Sequence, residues 1–534
     1  MSQAIEPRRL KRVWMPIAIA LLGAGSFTGL VVADALDPMT QAYLGMGLIA
    51  GTPLGLILWL MFLSGLGWAQ RFMYLLSGLV ATVAVIYGLS FVLKFEGSLG
   101  GSGIPRLRLR ASRTPEASLA ELQVEKSGEV RISPLKETDY PQFLGPQRDG
   151  AAHGVRLDRD WSARKPKELW RQPIGLGWSA FAVVGDYAFT QEQRENKELV
   201  VCYELKTGKV RWTHEHDVRW VDTQGGDGPR ATPTVVEGRV YTVGGTGILD
   251  CIDAANGTNI WSVDTLAENE LKNIIWGKSC SPLVFDDKVI VTGGREKKNS
   301  LLAYDRASGK RLWRVGEDDA SYGSPALATL DGQQQILIVN AHSVTGHDPK
   351  DGKILWTFSW PGNMAKVSQP VPLPGDRVFL SAGYTVGSVL LQVKRGSDGQ
   401  WSADPVWVAR NKMSTQFSNV VIARNCAFGL DCRELACLDL ETGERKWKGK
   451  TYNFGQILLV DDLIVVQAED GFIALAEANP NEFKEVARLP ALTSMTWNNP
   501  VLSGPYLLVR NDQEAICFEV PLAKDEKSGP RTEK

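Results

Sequence analysis

The feature that most constrains this chain is an acidic residue, a Gly four positions later and a Trp four beyond that. The triplet recurs with unchanged spacing as Glu204, Gly208, Trp212; Asp253, Gly257, Trp261; Asp305, Gly309, Trp313; Asp348, Gly352, Trp356; and Asp439, Gly443, Trp447. Degenerate copies lie around 393–407 and 475–486. Each copy predicts a β-hairpin. Apolar alternation such as Leu199, Val201, Tyr203 makes the first strand, the acidic side chain can bond turn amides, and Gly supplies a positive φ. The Trp then falls on the returning strand, where a large flat ring packs between sheets.

A second motif starts an apolar strand upstream in each unit, centred on Phe181, Pro233, Pro282, Pro325, Pro370, Asn419, Gln456 and Pro500. The intervals average about 46 residues, as expected for four-stranded propeller blades. Eight strand starts predict an all-β eight-bladed propeller of four-stranded antiparallel blades. The last unit ends at 514–520 without a fourth strand, and an orphan strand at 169–174 precedes the first complete unit. The orphan is therefore expected to close the ring, which removes an exposed sheet edge.

The N-terminal ninety-odd residues differ. From Val13 to Leu93 only Asp34, Asp37 and Arg71 are charged, and spans at about 13–33, 43–66 and 72–93 have the length of transmembrane helices. Arg8, Arg9, Lys11 and Arg12 precede the first span, Arg71 lies between the second and third, and the first loop has no Lys or Arg. That asymmetry puts the N-terminus inside and the propeller outside the cytoplasm, although Lys94, Arg106, Arg108, Arg110 and Arg113 follow the third span beyond a Gly-rich spacer at 97–103. The domains expected are a three-helix membrane anchor (1–93), a linker (94–140), the propeller (141–523) and a charged tail (524–534). Lys and Arg number 59 against 60 Asp and Glu, so there is no cationic surplus for nucleic acid.

The run Leu435-Ala436-Cys437-Leu438-Asp439-Leu440-Glu441-Thr442-Gly443-Glu444-Arg445-Lys446-Trp447 resembles the repeats of PQQ-like, quinoprotein alcohol dehydrogenase-like propellers. The segment from Tyr140 to Gly150 resembles the lead-in of bacterial members. The resemblance covers about 140–522 and implies the eight-bladed fold. It also implies one of two functions: some members are dehydrogenases using PQQ with Ca²⁺, and others act as scaffolds without a cofactor, like the outer-membrane assembly lipoprotein. Membrane-bound quinoprotein glucose dehydrogenase is similar in layout. The vicinal Cys pair typical of the alcohol dehydrogenases is absent, and no Ca²⁺-ligand set or catalytic Asp aligns.

Residues just before each inner strand should face the mouth of the central channel: Trp178, Arg230, Trp276, Lys278, Tyr322, Lys366, Gln416, Asn453 and Trp497. Aromatic faces mixed with cations suit a planar anion, such as the quinone tricarboxylate the resemblance suggests, or acidic side chains of a protein. Trp170, Trp212, Trp261, Trp313, Trp356, Trp407 and Trp447 are expected to dock blades rather than bind a ligand. Cys202, Cys251, Cys437 and Cys517 share one inward repeat position, and Cys426 and Cys432 are candidates for a disulfide. His214 and His216 share a face if they lie in a strand, with no third metal ligand visible, so no metal is expected. The sequence thus points to an inner-membrane protein whose periplasmic propeller binds an envelope protein or a small anion without catalysis. The alternative is a quinoprotein dehydrogenase that passes electrons to membrane quinone.

Overall fold

The structure, a computed structural model, describes residues 15–26, 38–98, 105–111, 119, 121–125 and 130–523 except 223, 297 and 363. The basic N-terminal cluster, the Asp34–Asp37 loop, most of the Gly-rich spacer and the charged tail lie outside these residues. The chain divides into two compact units, 1–114 with 223–225, and the remainder.

In the first unit, helices span Met15–Ser26, Pro38–Leu58 and Trp68–Val92. Among the described residues only Trp68–Val92 is long and apolar enough to cross a bilayer. This is fewer than the three spans expected. Met15–Ser26 is short, with its flanks outside the described residues. The second helix contains Pro53 and passes into a π-helical turn at Trp59–Leu63, so its apolar part, Gly47–Leu63, falls below spanning length. The linker is not uniformly irregular, because Leu93–Ser98 pairs antiparallel with Pro105–Leu109.

The second unit contains eight sheets, each with four antiparallel strands from the ring. The first blade comprises Ala182–Val184, Tyr187–Arg194, Lys197–Glu204 and Val210–His216. Blades two to seven follow the same order along the chain. The eighth takes Val501–Ser503, Tyr506–Arg510 and Glu514–Glu519 from the C-terminal end and Lys167–Pro173 from before the first blade. Cys517 pairs with Trp170 in that last ladder, so the ring closes through the expected orphan strand.

The repeat spacing has a mechanical cause. The turn Gly residues Gly208, Gly257, Gly309, Gly352 and Gly443 all have φ between +70° and +77°. Each lies against the Trp of the preceding blade: Trp170, Trp212, Trp261, Trp313 and Trp407, respectively. A Cβ on any of them would fall 2.7–2.8 Å from the ring. The acidic residues bond turn amides as expected: Asp439 Oδ1 accepts from Glu441 N at 3.0 Å and from Thr442 N at 3.1 Å. In every blade the register of the third and fourth strands shifts just beyond the residue facing the Trp position, a bulge that sharpens the local twist.

That facing residue is Cys202, Cys251, Ala303, Gly346 or Cys437 in the five blades that keep the Trp at standard spacing, and Cys517 in the eighth. A small side chain leaves room for the indole there, which accounts for the recurring cysteines, while the fifth blade places Leu390 opposite Trp407. No disulfide joins any of the seven Cys. Cys426 opens a single strand, Cys426–Asp431, and Cys432 follows its end. Six residues of extended chain separate the two by roughly 20 Å, far beyond disulfide reach.

Cores lie between neighbouring blades. Phe189, Cys202 and Trp212 of the first pack with Val235, Val240 and Ile252 of the second. The segment 140–152 reaches several blades. Tyr140 pairs with Val183 of the first blade, Val235 N of the second donates to Pro141 O, and Ala151–Ala152 runs parallel to the inner strand of the seventh. Buried Arg148 donates to Pro282 O before the third blade at 3.2 Å and to Gln369 Oε1 before the fifth at 3.3 Å. Burial pushes its pKa down to about 10, and its partners are neutral oxygens.

Candidate functional site

The end of the ring where each inner strand begins is held by a relay of short polar side chains. Ala180 N donates to Thr232 Oγ1, Thr232 N to Ser281 Oγ, and Ser281 N to Ser324 Oγ, at 2.9–3.3 Å. Asn498 Nδ2 carries the relay across the closure to Ser179 O at 2.8 Å. These bonds satisfy backbone groups that leave the ladders at the blade starts. They also tie together the starts of the first four blades and the eighth.

The aromatic residues close on one another. Trp178 and Trp497 rings lie 4.9 Å apart, Trp497 and Phe417 5.0 Å, and Phe417 and Phe454 5.2 Å. This chain of rings spans the approaches to the first, eighth, sixth and seventh blades. Trp276 and Tyr322 form a second pair at 5.3 Å, with Trp276 N donating to Tyr322 Oη. Trp497 Nε1 donates to Glu469 at 2.7 Å, and burial raises the pKa of that carboxyl. Gln416 bonds the Tyr384 hydroxyl, and Asn453 Nδ2 donates to Asp470 at 3.1 Å.

The cations do not present free charge. Lys278 is fully buried, and its amine donates to Thr292 O and, at 2.7 Å, to Gly293 O. Lys366 is 1% exposed and donates to Ala341 O and, at 2.9 Å, to Gly362 O. Burial lowers the pKa of both amines, that of Lys366 to about 8. Arg230 donates to Gly228 O at 2.8 Å and Gly226 O at 2.7 Å, and lies 3.8 Å from Asp222. The expectation that these cations would meet a ligand is not supported by their positions, because each side chain is directed onto backbone carbonyls of the protein.

This arrangement does not fit PQQ with Ca²⁺. A planar tricarboxylate needs an open slot between rings and unspent cations, whereas here the rings contact each other and the cations hold backbone carbonyls. Calcium needs six to eight oxygen ligands, and the mouth carboxylates Glu469, Asp470 and Asp222 lie against Trp497, Asn453 and Arg230, respectively. Exposed apolar side chains also stand there. Val221, Ile275 and Met364 are 59%, 65% and 40% exposed on three of the loops that lead into inner strands.

The tryptophans assigned to blade docking are structural in position. Nε1 of Trp170, Trp212, Trp261, Trp407 and Trp447 donates to a backbone carbonyl of the next blade at 2.8–3.2 Å. Trp356 turns to Gln335 Oε1 of its own blade at 2.8 Å, and Trp313 seats on Gly352 without an Nε1 partner. Sequence reasoning missed Asp250, which His216 Nε2 contacts at 3.0 Å beside His214. The available signal was a carboxylate flanked by Leu249 and Cys251 within a buried strand.

The propeller is shared with known proteins. The chain is 26% identical over 307 residues to the dehydrogenase subunit of a quinone-type alcohol dehydrogenase from Acetobacter aceti, covering 48% of this chain and 39% of the relative. It is 24% identical over 306 residues to outer membrane protein assembly factor BamB of Burkholderia pseudomallei, covering 52% of this chain and 69% of the relative. The chain thus spans well under half the length of the dehydrogenase. The crystal structure of quinohemoprotein alcohol dehydrogenase from Comamonas testosteroni superposes with a TM-score of 0.52 at 13% identity, covering 74% of this chain and 83% of that one, which shows the fold alone. The family described as outer membrane protein assembly factor BamB matches residues 159–269 and 197–449, over half of the chain, and the chain belongs to that family.

Proposed function

We propose that this chain is a membrane-anchored, extracytoplasmic propeller that binds an envelope protein at its channel mouth and carries out no reaction itself. The observation that carries this reading is the state of the mouth. Its cations are spent on backbone carbonyls and its rings on each other, while Val221, Ile275 and Met364 stand exposed around it. Exposed apolar side chains on neighbouring loops suit a protein surface. The N-terminal apolar segments, read from the sequence as three spans, supply the anchor, with Trp68–Val92 as the best-defined one. Positive residues before the first span support an outward-facing propeller.

The second reading is a membrane-bound quinoprotein dehydrogenase using PQQ. It is favoured by the named dehydrogenase relative and opposed by the filled mouth. The two are separated by placing a photo-crosslinking residue at Ile275, Val221 or Met364 in the full chain in membranes, with Leu312 on an outer strand as control. Binding at the mouth predicts one discrete crosslinked protein from the three mouth positions and none from Leu312. Equal or absent crosslinking at all four contradicts it.

A further inference from the structure

We propose that His214, His216 and Asp250 form a binding site for a divalent transition-metal ion at the seam between the first and second blades. His214 and His216 alternate on the outer strand of the first blade, Val210–His216, so both rings project from the same face. Asp250 lies on the third strand of the second blade, Ile248–Asp253, and is 3% exposed. One ligand atom from each residue lies within 4.8 Å of the other two. Modest side-chain rotation brings such a trio onto one ion at the roughly 2.0–2.2 Å bonds of zinc to nitrogen and oxygen.

The hydrogen-bond partners suit the ion. The His214 ring bonds the Gly257 backbone, and its Nε2 is buried with no hydrogen-bond partner. A bond at one ring nitrogen fixes the tautomer and directs the lone pair of the other. His216 contacts both oxygens of Asp250 at 3.0 Å.

Supporting groups are also in place. Ser262 Oγ donates to Asp250 Oδ1 at 2.5 Å, which orients the carboxylate. Glu198 pairs with His216 across the first blade and adds a further anion nearby, its carboxylate accepting Gly245 N at 3.1 Å. Two imidazoles and one carboxylate favour zinc, cobalt, nickel or copper over calcium or magnesium. Three protein ligands leave a position for water or for a side chain of a bound partner.

The test uses the full chain in detergent with affinity tags removed and metal stripped by chelation. Zn²⁺ is titrated against a chromophoric competitor, and Co²⁺ is added separately to read visible ligand-field absorption. The proposal predicts one ion per chain, a cobalt spectrum of low coordination number, and at least a 100-fold loss of affinity in His214→Ala and Asp250→Asn. His342→Ala, at an exposed His paired with Asp318, leaves binding unchanged. If His214→Ala folds poorly, His214→Gln serves, and Zn²⁺ raises the melting temperature of the wild type only. No stoichiometric binding to the wild type, or equal affinity in the His214 variants, overturns the proposal.

Discussion

Gly208 lies beneath the indole of Trp170, a residue that the chain contributes to the eighth blade before it has built the first. A Cβ on Gly208 would come within 2.8 Å of Trp170 Cδ2, and Trp170 Nε1 donates to Leu205 O at 2.8 Å. The same turn thus terminates a hairpin of the first blade and seats the ring that closes the propeller. Burying an indole of this size contributes at most about 5 kcal/mol, so the seat is a main element of ring closure.

Gly208→Ala should therefore cost more than Gly238→Ala. Both positions have φ near +70°, at +71° and +73°, but nothing lies within 4 Å of a Cβ on Gly238. Each substitution pays roughly 1 kcal/mol of backbone strain, and Gly208→Ala adds about 1–3 kcal/mol for displacing the ring. Thermal unfolding of the two variants in parallel measures the difference, and equal midpoints would refute the seat.

Arg510 holds the eighth blade to the first. It is fully buried and donates to Thr190 Oγ1 at 2.7 Å, Gln191 O at 2.9 Å and Gly175 O at 3.0 Å. Arg510→Met leaves these acceptors unpaired and should destabilise by about 2–4 kcal/mol. Arg488→Met, on an exposed strand, should change stability by less than about 1 kcal/mol. Proteolysis should then nick the Arg510 variant first near the closure, at 167–182 or 505–520.

His347 makes the propeller acid-sensitive. It is fully buried, with Nε2 2.8 Å from Thr345 Oγ1 and Nδ1 2.8 Å from Gly352 O. Burial pushes its pKa down to about 4, below the ordinary 6.5. The unfolded chain then binds more protons between these values, so stability present above pH 6.5 is lost as pH falls toward 4. The loss has a ceiling of about 3 kcal/mol. His347→Gln should flatten the slope of melting temperature against pH over this window, and an unchanged slope would exclude His347 as its source.

Thiol labelling checks the cysteine assignment. Six of the seven Cys are buried, and only Cys432 is partly exposed. A maleimide reagent should modify one thiol per native chain and seven after denaturation under non-reducing conditions. Recovery of five thiols would instead indicate a disulfide.

The ring was legible because its repeat is local. Asp253, Gly257 and Trp261 lie within nine residues, and the turn geometry needs each of them at that spacing. Closure was legible too, since 169–174 had no partner in its own neighbourhood. The site was harder to read. Lys278 and Lys366 stand where a sequence places cations at the mouth, but their direction depends on the carbonyls of Gly293 and Ala341, which lie elsewhere in the chain. Asp250 meets His216 across two blades, a contact that no single repeat records. Arg148, which bonds the approaches to the third and fifth blades, lies in a segment recognised only by resemblance, with partners more than 130 residues away.

The most direct test of the central claim is a titration of PQQ with Ca²⁺ into the purified full-length protein, read by tryptophan fluorescence, followed by alcohol- and aldose-dependent dye reduction. A filled mouth predicts no saturable quenching at micromolar PQQ and no substrate-dependent reduction. Binding of one PQQ per chain with turnover, lost in Trp276→Ala or Arg230→Ala, would contradict the scaffold account and establish the chain as a quinoprotein dehydrogenase.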